Sequence, residues 1–328
     1  MTRSTIRQGK ILVTARSVAN TPAAIEAMRS AGHEVIIATS PMPFDLGWIA
    51  EQMRGIDALV FAMEPVSAEA LEKADRLRII ARPGVGYDTV DLEAATRKGV
   101  IVTIAAGTNN QSVADFTLGL LLQATRGIAI AAESVQQKGW ERVTGTEVWG
   151  KKLAIIGMGR IGKGVAQRAR GFDMDVLAVS PRRDNDFARM HGVRYVSFDE
   201  AIEQADFVSL NAPLTQETVG LIDARVLARM KRGAYVINTS RGGLVDEAAL
   251  AEAVLSGHIA GAAVDVLQTQ GAGSPSALIG VPGIIVTPHM ATFTKEATQR
   301  VAMSVAHSII TALHGDAPEH IVNPAAWA

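Results

Sequence analysis

A short apolar segment followed by three spaced glycines places the strongest constraint on the fold of this chain. Residues 153–156 read as a buried strand, and Gly157, Gly159 and Gly162 follow it in a G-x-G-x-x-G pattern. In that context the first glycine permits a tight turn, the second lets a phosphate approach the backbone, and the third lets a helix pack on a strand. The pattern predicts a dinucleotide bound at a helix N-terminus; a tight turn without a ligand is the alternative.

Strand and helix patterns alternate along most of the chain, which implies parallel sheets. The length of 328 residues suits two domains. Residues 137–150 are polar with two tryptophans and read as a linker or an interface element. Helices are predicted over 22–30, 68–74, 110–126 and 296–313, with Thr21 and Ser67 as N-caps of the first two. Strands are predicted over 11–14, 34–38, 58–62, 79–81, 153–156, 176–179, 207–210, 235–238, 260–265 and 284–286.

Composition excludes several classes of function. The formal net charge is -1, so no global field attracts nucleic acid or an anionic membrane. The absence of cysteine excludes disulfides, thiolate zinc sites and a cysteine nucleophile, and no His/Asp/Glu cluster has metal-ligand spacing. Residues 1–10 lack the apolar core of a signal peptide, and no apolar run reaches the length of a membrane span. We therefore expect a cytoplasmic protein without a metal site.

The residues after the next strand bear on the choice between NAD and NADP. An NAD site places an acid there to bind the ribose hydroxyls. Here Ser180, Arg182 and Arg183 follow the strand, and the nearest acid, Asp184, comes later. Arginine forks match phosphate oxygens, so the pattern predicts NADP rather than NAD. The alternative is that both arginines are solvated loop charges.

Several further motifs occur in an order that resembles the D-2-hydroxyacid dehydrogenase family, which includes glyoxylate, hydroxypyruvate and phosphoglycerate dehydrogenases. They are found at residues 82–88, 107–115, 213–215, 238–246, 263–266 and 287–291. The resemblance implies two Rossmann-like or flavodoxin-like domains with the active site in the cleft between them. Residues 1–103 and 292–328 would form the substrate domain, and residues 104–291 the dinucleotide-binding domain. It also implies a homodimer, because Gly139 and Trp140 resemble part of the family's interface.

Two residues have the chemistry that reduction of a 2-oxo acid requires. Arg241 follows a predicted strand within Thr-Ser-Arg-Gly-Gly, and its planar guanidinium can hold a carboxylate and polarise the adjacent carbonyl. His289 follows the last predicted strand and titrates near neutrality, so it can give or accept the proton. For either residue alone a structural role is the competing interpretation. The matching motifs favour a small carboxylate substrate and hydride transfer to or from a nicotinamide.

The remaining site residues are implied by the resemblance. Val85 and Gly86 would bind the substrate carboxylate through their backbone N–H groups, and Met63 would line the pocket. Asp265 would face the nicotinamide end of the cofactor. The complete predicted cofactor-binding set is Gly157, Gly159, Arg160, Ile161, Ser180, Arg182, Arg183, Pro213, Thr218, Thr239, Asp265 and His289.

Gln270 departs from the family pattern. The family places a glutamate there, which pairs with the histidine and raises its pKa. A neutral amide orients the ring without that Coulomb interaction, so we expect the pKa of His289 to stay near about 6.5. A Gln–His pair also resembles formate dehydrogenases of the same superfamily, which makes formate oxidation one alternative. A dinucleotide-sensing binding protein with little turnover is the other.

The residues at 62–65 indicate the substrate class. This loop is apolar and then acidic, with Met63 followed by Glu64, and it lacks an arginine suited to a phosphate. Arg82 is the one nearby cation that could still contribute. A small unphosphorylated acid such as glyoxylate or hydroxypyruvate is therefore favoured, and a bulkier apolar 2-oxo acid remains open.

Overall fold

The computed structural model describes residues 8–41 and 45–327, and these form two compact α/β units. One unit comprises Met1–Asn109 with Phe293–Ala328, and the other comprises Asn110–Thr292. Within residues 1–10, where the absence of a signal-peptide core is predicted, positions 1–7 lie outside the described residues.

The smaller unit is built on a five-stranded parallel sheet in the order β2-β1-β3-β4-β5. Successive residues of each strand point to opposite faces, so Ile11 and Val13 join one apolar core and Leu12 joins another. The helix Lys295–Leu313 returns from the end of the chain to cover the first of these faces. The strands are β1 (Lys10–Val13), β2 (Glu34–Ile37), β3 (Ala58–Val60), β4 (Ile79–Arg82) and β5 (Ile101–Ile104). The helices are α1 (Arg16–Ala19), α2 (Pro22–Ser30), α3 (Leu46–Gln52), α4 (Ala68–Lys73) and α5 (Leu92–Arg97).

The larger unit is built on a seven-stranded parallel sheet in the order β12-β11-β10-β9-β6-β7-β8. Alternation again divides its strand residues between two cores, one containing Ala154 and Ile156 and the other Leu153 and Ile155. The strands are β6 (Lys152–Ile156), β7 (Asp175–Val179), β8 (Val193–Tyr195), β9 (Phe207–Leu210), β10 (Ala234–Asn238), β11 (Ile259–Val264) and β12 (Ile284–Val286). The helices are α6 (Asn110–Arg126), α7 (Ile128–Gln136), α8 (Arg160–Arg170), α9 (Asn185–His191), α10 (Phe198–Gln204), α11 (Ala224–Arg229) and α12 (Glu247–Leu255). The helix Lys295–Leu313 of the smaller unit is α13.

The predicted fold class is confirmed, with corrections to individual elements. Strands β5 and β8 were not predicted from the sequence. Ser67 caps its helix as predicted, because its hydroxyl accepts a hydrogen bond from the N–H of Ala70 at 3.3 Å. Thr21 also occupies the predicted N-cap position, but its hydroxyl donates to the carbonyl of Ser17 at 2.8 Å and makes no capping hydrogen bond.

No single helix among the described residues combines the length and apolar character needed to cross a membrane. The pair Asn110–Arg126 and Ile128–Gln136, bent by 67°, meets that test together on length and composition alone.

The smaller unit contains a buried histidine whose pKa lies below its usual range. His33 is 4% exposed, its Nδ1 accepts a hydrogen bond from the N–H of Gly9 at 3.1 Å, and its ring lies 5.7 Å from that of His314. Burial lowers the pKa of His33, the charge of His314 lowers it further, and Asp57 opposes the shift. The unfolded chain therefore binds a proton at this position at a higher pH than the folded chain does.

We predict that stability falls as the pH drops below about 6.5, where the unfolded chain becomes protonated at His33 while the folded chain stays neutral. H33N keeps an acceptor for Gly9 and removes the titration. Its Tm should therefore fall less than that of the wild type between pH 7.5 and 5.5. Exposed His307 on α13 provides the control variant H307N, which should follow the wild type. Equal slopes for H33N and wild type would contradict the prediction.

Candidate active site

The order of strands in the larger unit changes direction at β6. From β6 the sheet continues in one direction through β7 and β8, and in the other through β9 to β12. The carboxyl ends of β6 and β9 lie side by side, with Ile156 opposite Leu210. In open parallel sheets ligands bind beyond the carboxyl ends of the strands at such a switch point. The glycine motif leaves β6 at this position.

Each glycine of the motif has the surroundings that its predicted role requires. Gly157 has φ 104°, and a Cβ there would lie 2.6 Å from the backbone carbonyl of Asn211. A Cβ on Gly162 would lie 2.1 Å from the oxygen of Gly157, so this close approach also excludes a side chain. Beside Gly159, in contrast, there is open space, and no side chain caps helix α8 at this residue. The first-turn N–H groups of α8, which include Arg160 and Ile161, are thus available to a phosphate.

Asn211 is a candidate cofactor contact that the sequence analysis missed. It follows β9 directly, and its backbone lies against Gly157. Its Oδ1 accepts a hydrogen bond from Ser209 at 3.0 Å, whereas its buried Nδ2 has no hydrogen-bond partner among the described residues. An unpaired buried amide costs stability unless a ligand or water accepts from it. The residue's place immediately after a strand and before Pro213 was the signal available in the sequence.

The end of β7 presents cations rather than an acid. Arg182 and Arg183 are exposed and Ser180 is half-buried. Asp184 pairs with the ammonium group of Lys163, and its other oxygen accepts from the N–H of Phe187 at 3.0 Å. The hydrogen bond from Lys163 is the main reason that the pKa of Asp184 lies below its usual range. The acid nearest to this strand end is thus engaged by the protein.

Arg241 lies in the turn that follows β10. It precedes the 3-10 turn Gly242–Leu244 and is half-buried. Its backbone carbonyl accepts from Asn238 Nδ2 at 2.9 Å, and its Nη1 donates to the carbonyl of Ser240 at 2.7 Å. A Cβ on Gly242 would lie 2.1 Å from the carbonyl carbon of Leu267, so the loop after β11 runs directly against this turn.

His289 and Gln270 are in direct contact, as their sequence positions led us to expect. His289 Nδ1 lies 2.7 Å from Gln270 Oε1. An amide oxygen only accepts, so Nδ1 carries the hydrogen and Nε2 is the nitrogen that can exchange a proton. His289 also has φ 53°, a left-handed conformation that is uncommon outside glycine and that clusters at functional sites.

The carboxylate of Asp265 organises the turn that carries His289. Asp265 is 1% exposed, and its Oδ1 accepts from Thr287 Oγ1 at 2.6 Å and from the N–H of Met290 at 2.9 Å. Its Oδ2 accepts from the N–H of Ala291 at 2.8 Å, and its carbonyl accepts from the N–H of His289 at 2.9 Å. These four hydrogen bonds hold His289 in its left-handed conformation.

The hydroxyls of two predicted cofactor-binding threonines are engaged within the protein. Thr239 Oγ1 shares a 2.9 Å hydrogen bond with Thr117 of α6. Thr218 Oγ1 donates to the carbonyl of Pro213 at 2.7 Å. Within the described residues no group of three or more His, Cys, Asp or Glu side chains is placed to hold a metal ion.

Comparison with known proteins decides the family. Residues 118–291 match the family model for the NAD-binding domain of D-isomer specific 2-hydroxyacid dehydrogenases. The glyoxylate reductase of Korarchaeum cryptofilum is 39% identical over 282 residues, which cover 84% of this chain and 85% of that protein. The chain belongs to the D-isomer specific 2-hydroxyacid dehydrogenase family. It is therefore an oxidoreductase that uses a nicotinamide cofactor and acts on 2-hydroxy or 2-oxo acids.

Other relatives of this dehydrogenase support the same family assignment. The D-3-phosphoglycerate dehydrogenase of Mycobacterium leprae is 43% identical over 267 residues, which cover 81% of this chain and 50% of that protein. The chain thus matches about half the length of that relative. Among solved structures, the TT0316 protein of Thermus thermophilus is 33% identical with a TM-score of 0.87, covering 95% of this chain and 99% of that one. A glyoxylate reductase from Paecilomyes thermophila is 27% identical with a TM-score of 0.86, covering 97% and 99%.

Three of the dehydrogenase's predicted substrate-binding residues, Met63, Val85 and Gly86, lie in the smaller unit after β3 and β4, whereas Arg241 lies in the larger unit. Glu64 is 3% exposed, and its Oε2 accepts from the N–H groups of Ala62 and Met63 at 2.9 Å each. Arg82 is 7% exposed and donates to the carbonyl of Gly86 at 2.9 Å and to that of Phe61 at 3.2 Å. Its guanidinium therefore ties the loop of Met63 to the turn of Gly86.

Proposed function

We propose that this dehydrogenase reduces a small unphosphorylated 2-oxo acid, such as glyoxylate or hydroxypyruvate, with NADPH. The observation that carries the proposal is the hydrogen bond between His289 Nδ1 and Gln270 Oε1. It fixes the ring and leaves Nε2 to donate the proton to the carbonyl oxygen. The glycine turn after β6 would hold NADPH, which would supply the hydride.

Arg241 is the group that binds the carboxylate in this proposal. Its turn follows β10, next to β11 and two strands from β12, which precedes His289. A guanidinium holds a carboxylate through two parallel hydrogen bonds and polarises the neighbouring carbonyl as negative charge develops on its oxygen. The substrate-binding roles of Met63, Val85 and Gly86 remain predictions from the family resemblance.

The buried charges of the smaller unit support an unphosphorylated substrate. A phosphate requires an accessible cation, and Arg82 donates instead to two backbone carbonyls in the interior. Glu64 adds a carboxylate to the loop of Met63, where it accepts hydrogen bonds from the loop's own N–H groups. A carboxylate at this position disfavours a phosphate.

The preference for NADPH rests on the end of β7. A 2′-phosphate requires cations and is repelled by a free carboxylate. Arg182 and Arg183 supply the cations, and Lys163 neutralises Asp184. Ser180 offers a hydroxyl to the same group.

We predict that replacing both arginines, R182A/R183A, weakens NADPH binding by about 10–100-fold, as expected for losing hydrogen bonds to a charged group. NADH binding should be nearly unchanged. The measurement is cofactor oxidation at about pH 6 with glyoxylate and hydroxypyruvate, comparing kcat/KM for the two cofactors. R189A, which removes an exposed arginine of α9, is the matched control. Equal losses with NADPH and NADH, or a wild type that prefers NADH, would refute the NADPH assignment.

Formate oxidation is a second candidate, because the Gln270–His289 contact is an amide–imidazole pair rather than a carboxylate–imidazole pair. Reduction of NAD⁺ or NADP⁺ by formate distinguishes it from 2-oxo acid reduction. If formate is oxidised and no 2-oxo acid is reduced, the second candidate replaces the first. Tight cofactor binding with no turnover on either substrate would favour a binding protein.

We also propose that the dehydrogenase is a homodimer. Helix α7 has no buried residue, and Ile128, Ile130 and Val135 are 53%, 52% and 52% exposed. Trp140 and Trp149, in the segment that follows, are 75% and 68% exposed. Several large apolar side chains exposed in one stretch of the chain are typical of a protein interface.

We predict a dimer mass in sedimentation equilibrium for the wild type and a shift toward monomer for W140E, since a charge buried in an interface is strongly unfavourable. F172E, in which a glutamate replaces an apolar residue 36% exposed after α8, is the control and should leave the mass unchanged. A monomeric wild type would disprove the dimer.

A further inference from the structure

A buried carboxylate outside the predicted site holds the loop that carries Gln270. Glu247 is the first residue of α12 and is 8% exposed. Its Oε1 accepts from the backbone N–H of Gln268 at 2.7 Å, and its Oε2 accepts from the hydroxyl of Ser276 at 2.6 Å. These partners lie on either side of Gln270 in the segment between β11 and β12, so one carboxylate binds both.

Neighbouring contacts join this loop to the Arg241 turn. Gln268 Nε2 donates to the carbonyl of Val245 at 2.8 Å, and the backbone of Leu267 lies against Gly242. Ser276 Oγ in turn accepts from the N–H of Leu278 at 3.2 Å. The segment between β11 and β12 is thus joined to the Arg241 turn through Leu267 and Gln268, and to α12 through Ser276.

Apart from its contact with His289, the side chain of Gln270 makes only a weak hydrogen bond among the described residues. Its Nε2 lies 3.4 Å from the carbonyl of Leu267, which is a long hydrogen bond, and its Oε1 faces His289. Gly271 and Gly273, with φ 133° and 76°, follow it and give the backbone conformational freedom. The position of the Gln270 amide therefore depends on the fixed points at Gln268 and Ser276.

We propose that Glu247 is a positioning residue that holds Gln270 and, through it, the tautomer of His289. The proposal rests on the proposed function of His289 as the proton donor. Burying a carboxylate costs free energy unless hydrogen bonds stabilise it. Both side-chain hydrogen bonds described for Glu247 go to the segment between β11 and β12. Its contribution to the reaction is indirect, because Glu247 contacts neither the imidazole nor Arg241 through any of the hydrogen bonds described above.

The test uses E247Q, which keeps the size of the side chain but replaces one acceptor oxygen with a donor. We expect kcat to fall by about 10–100-fold, the cost of a small misplacement at a reacting group, with NADPH affinity unchanged. In a Q270A background E247Q should have no further effect, since the coupled residue is already absent. S276A, which removes one of the two hydrogen bonds, should give a smaller loss in the same direction.

A second readout does not depend on turnover. ¹⁵N NMR of the His289 ring in the full protein reports the tautomer, and the wild type should show hydrogen at Nδ1. E247Q should give a mixture of tautomers, whereas E252Q, at an exposed glutamate of the same helix, should match the wild type. An unchanged tautomer in E247Q, or an equal loss of kcat with and without Gln270, would overturn the positioning role. If the wild type reduces no 2-oxo acid, the proposed function fails, and the NMR result still decides the role of Glu247.

Discussion

Replacement of His289 by glutamine is expected to lower 2-oxo acid reduction by about 10²–10⁴-fold, the usual contribution of a general acid. His289 Nδ1 is held by Gln270 Oε1 at 2.7 Å, so Nε2 is the nitrogen left to donate the proton. A glutamine at 289 retains a hydrogen-bonding side chain but has no proton to transfer near neutral pH. The loss should therefore appear in kcat.

Stopped-flow reduction of glyoxylate and hydroxypyruvate measures the loss in kcat. Fluorescence titration of NADPH measures cofactor affinity separately. NADPH affinity should stay within a few-fold of the wild type, because the proposed phosphate site is the glycine turn after β6, four strands away in the sheet from β12, which precedes His289. H307N, at an exposed histidine of α13, is the control. A loss below about 10-fold in H289Q would assign the proton to another donor.

Local sequence rules predicted those parts of the site that depend on backbone conformation. Gly157, Gly159 and Gly162 lie where a strand turns into a helix, and the conformation of such a turn is decided by these residues themselves. Thr21 and Ser67 show the limit of such rules. Both precede a helix, yet Thr21 has a carbonyl one turn earlier to bind, and its hydroxyl donates there instead of capping.

Contacts between distant segments could not be predicted in this way. Glu247 and Gln268 are brought together by the packing of α12 beside β11, and no local pattern around Glu247 indicates a loop as its partner. The same holds for Asn211, whose unpartnered amide is visible only in three dimensions. The three-residue strand β8 was missed because it is too short to show alternation, and its place at the sheet edge is set by pairing with β7.

The family resemblance implied only that Asp265 faces the cofactor. Its hydrogen bonds give it a structural role as well, because they fix the turn that carries His289. A non-glycine residue at φ 53° costs free energy, and four hydrogen bonds from the 287–291 turn to Asp265 offset that cost at His289. The side chain of His289 is thus oriented twice: its backbone is fixed by Asp265 and its ring by Gln270. Removing the second constraint alone should leave the turn intact.

That separation makes Gln270 the residue at which pH dependence can be changed without loss of the fold. In Q270E a carboxylate replaces the amide beside the imidazole and favours its protonated form. This charge pair should raise the pKa of His289 above that in the wild type. Because reduction needs the protonated imidazole, activity declines as the pH rises through this pKa. The decline should therefore occur at higher pH in Q270E than in the wild type.

At pH 8.5 the variant should then reduce 2-oxo acids about 10–100-fold faster than the wild type, provided that the chemical step limits turnover. A kinetic isotope effect with deuterated NADPH establishes that condition in both proteins. A272E adds the same charge two residues away at an exposed position, where no side-chain hydrogen bond is lost, and it should shift the profile less. Coincident profiles for Q270E and wild type would mean that an imidazole paired with Gln270 is not the group whose protonation limits reduction. The search for the donor would then move to another titrating residue of the larger unit.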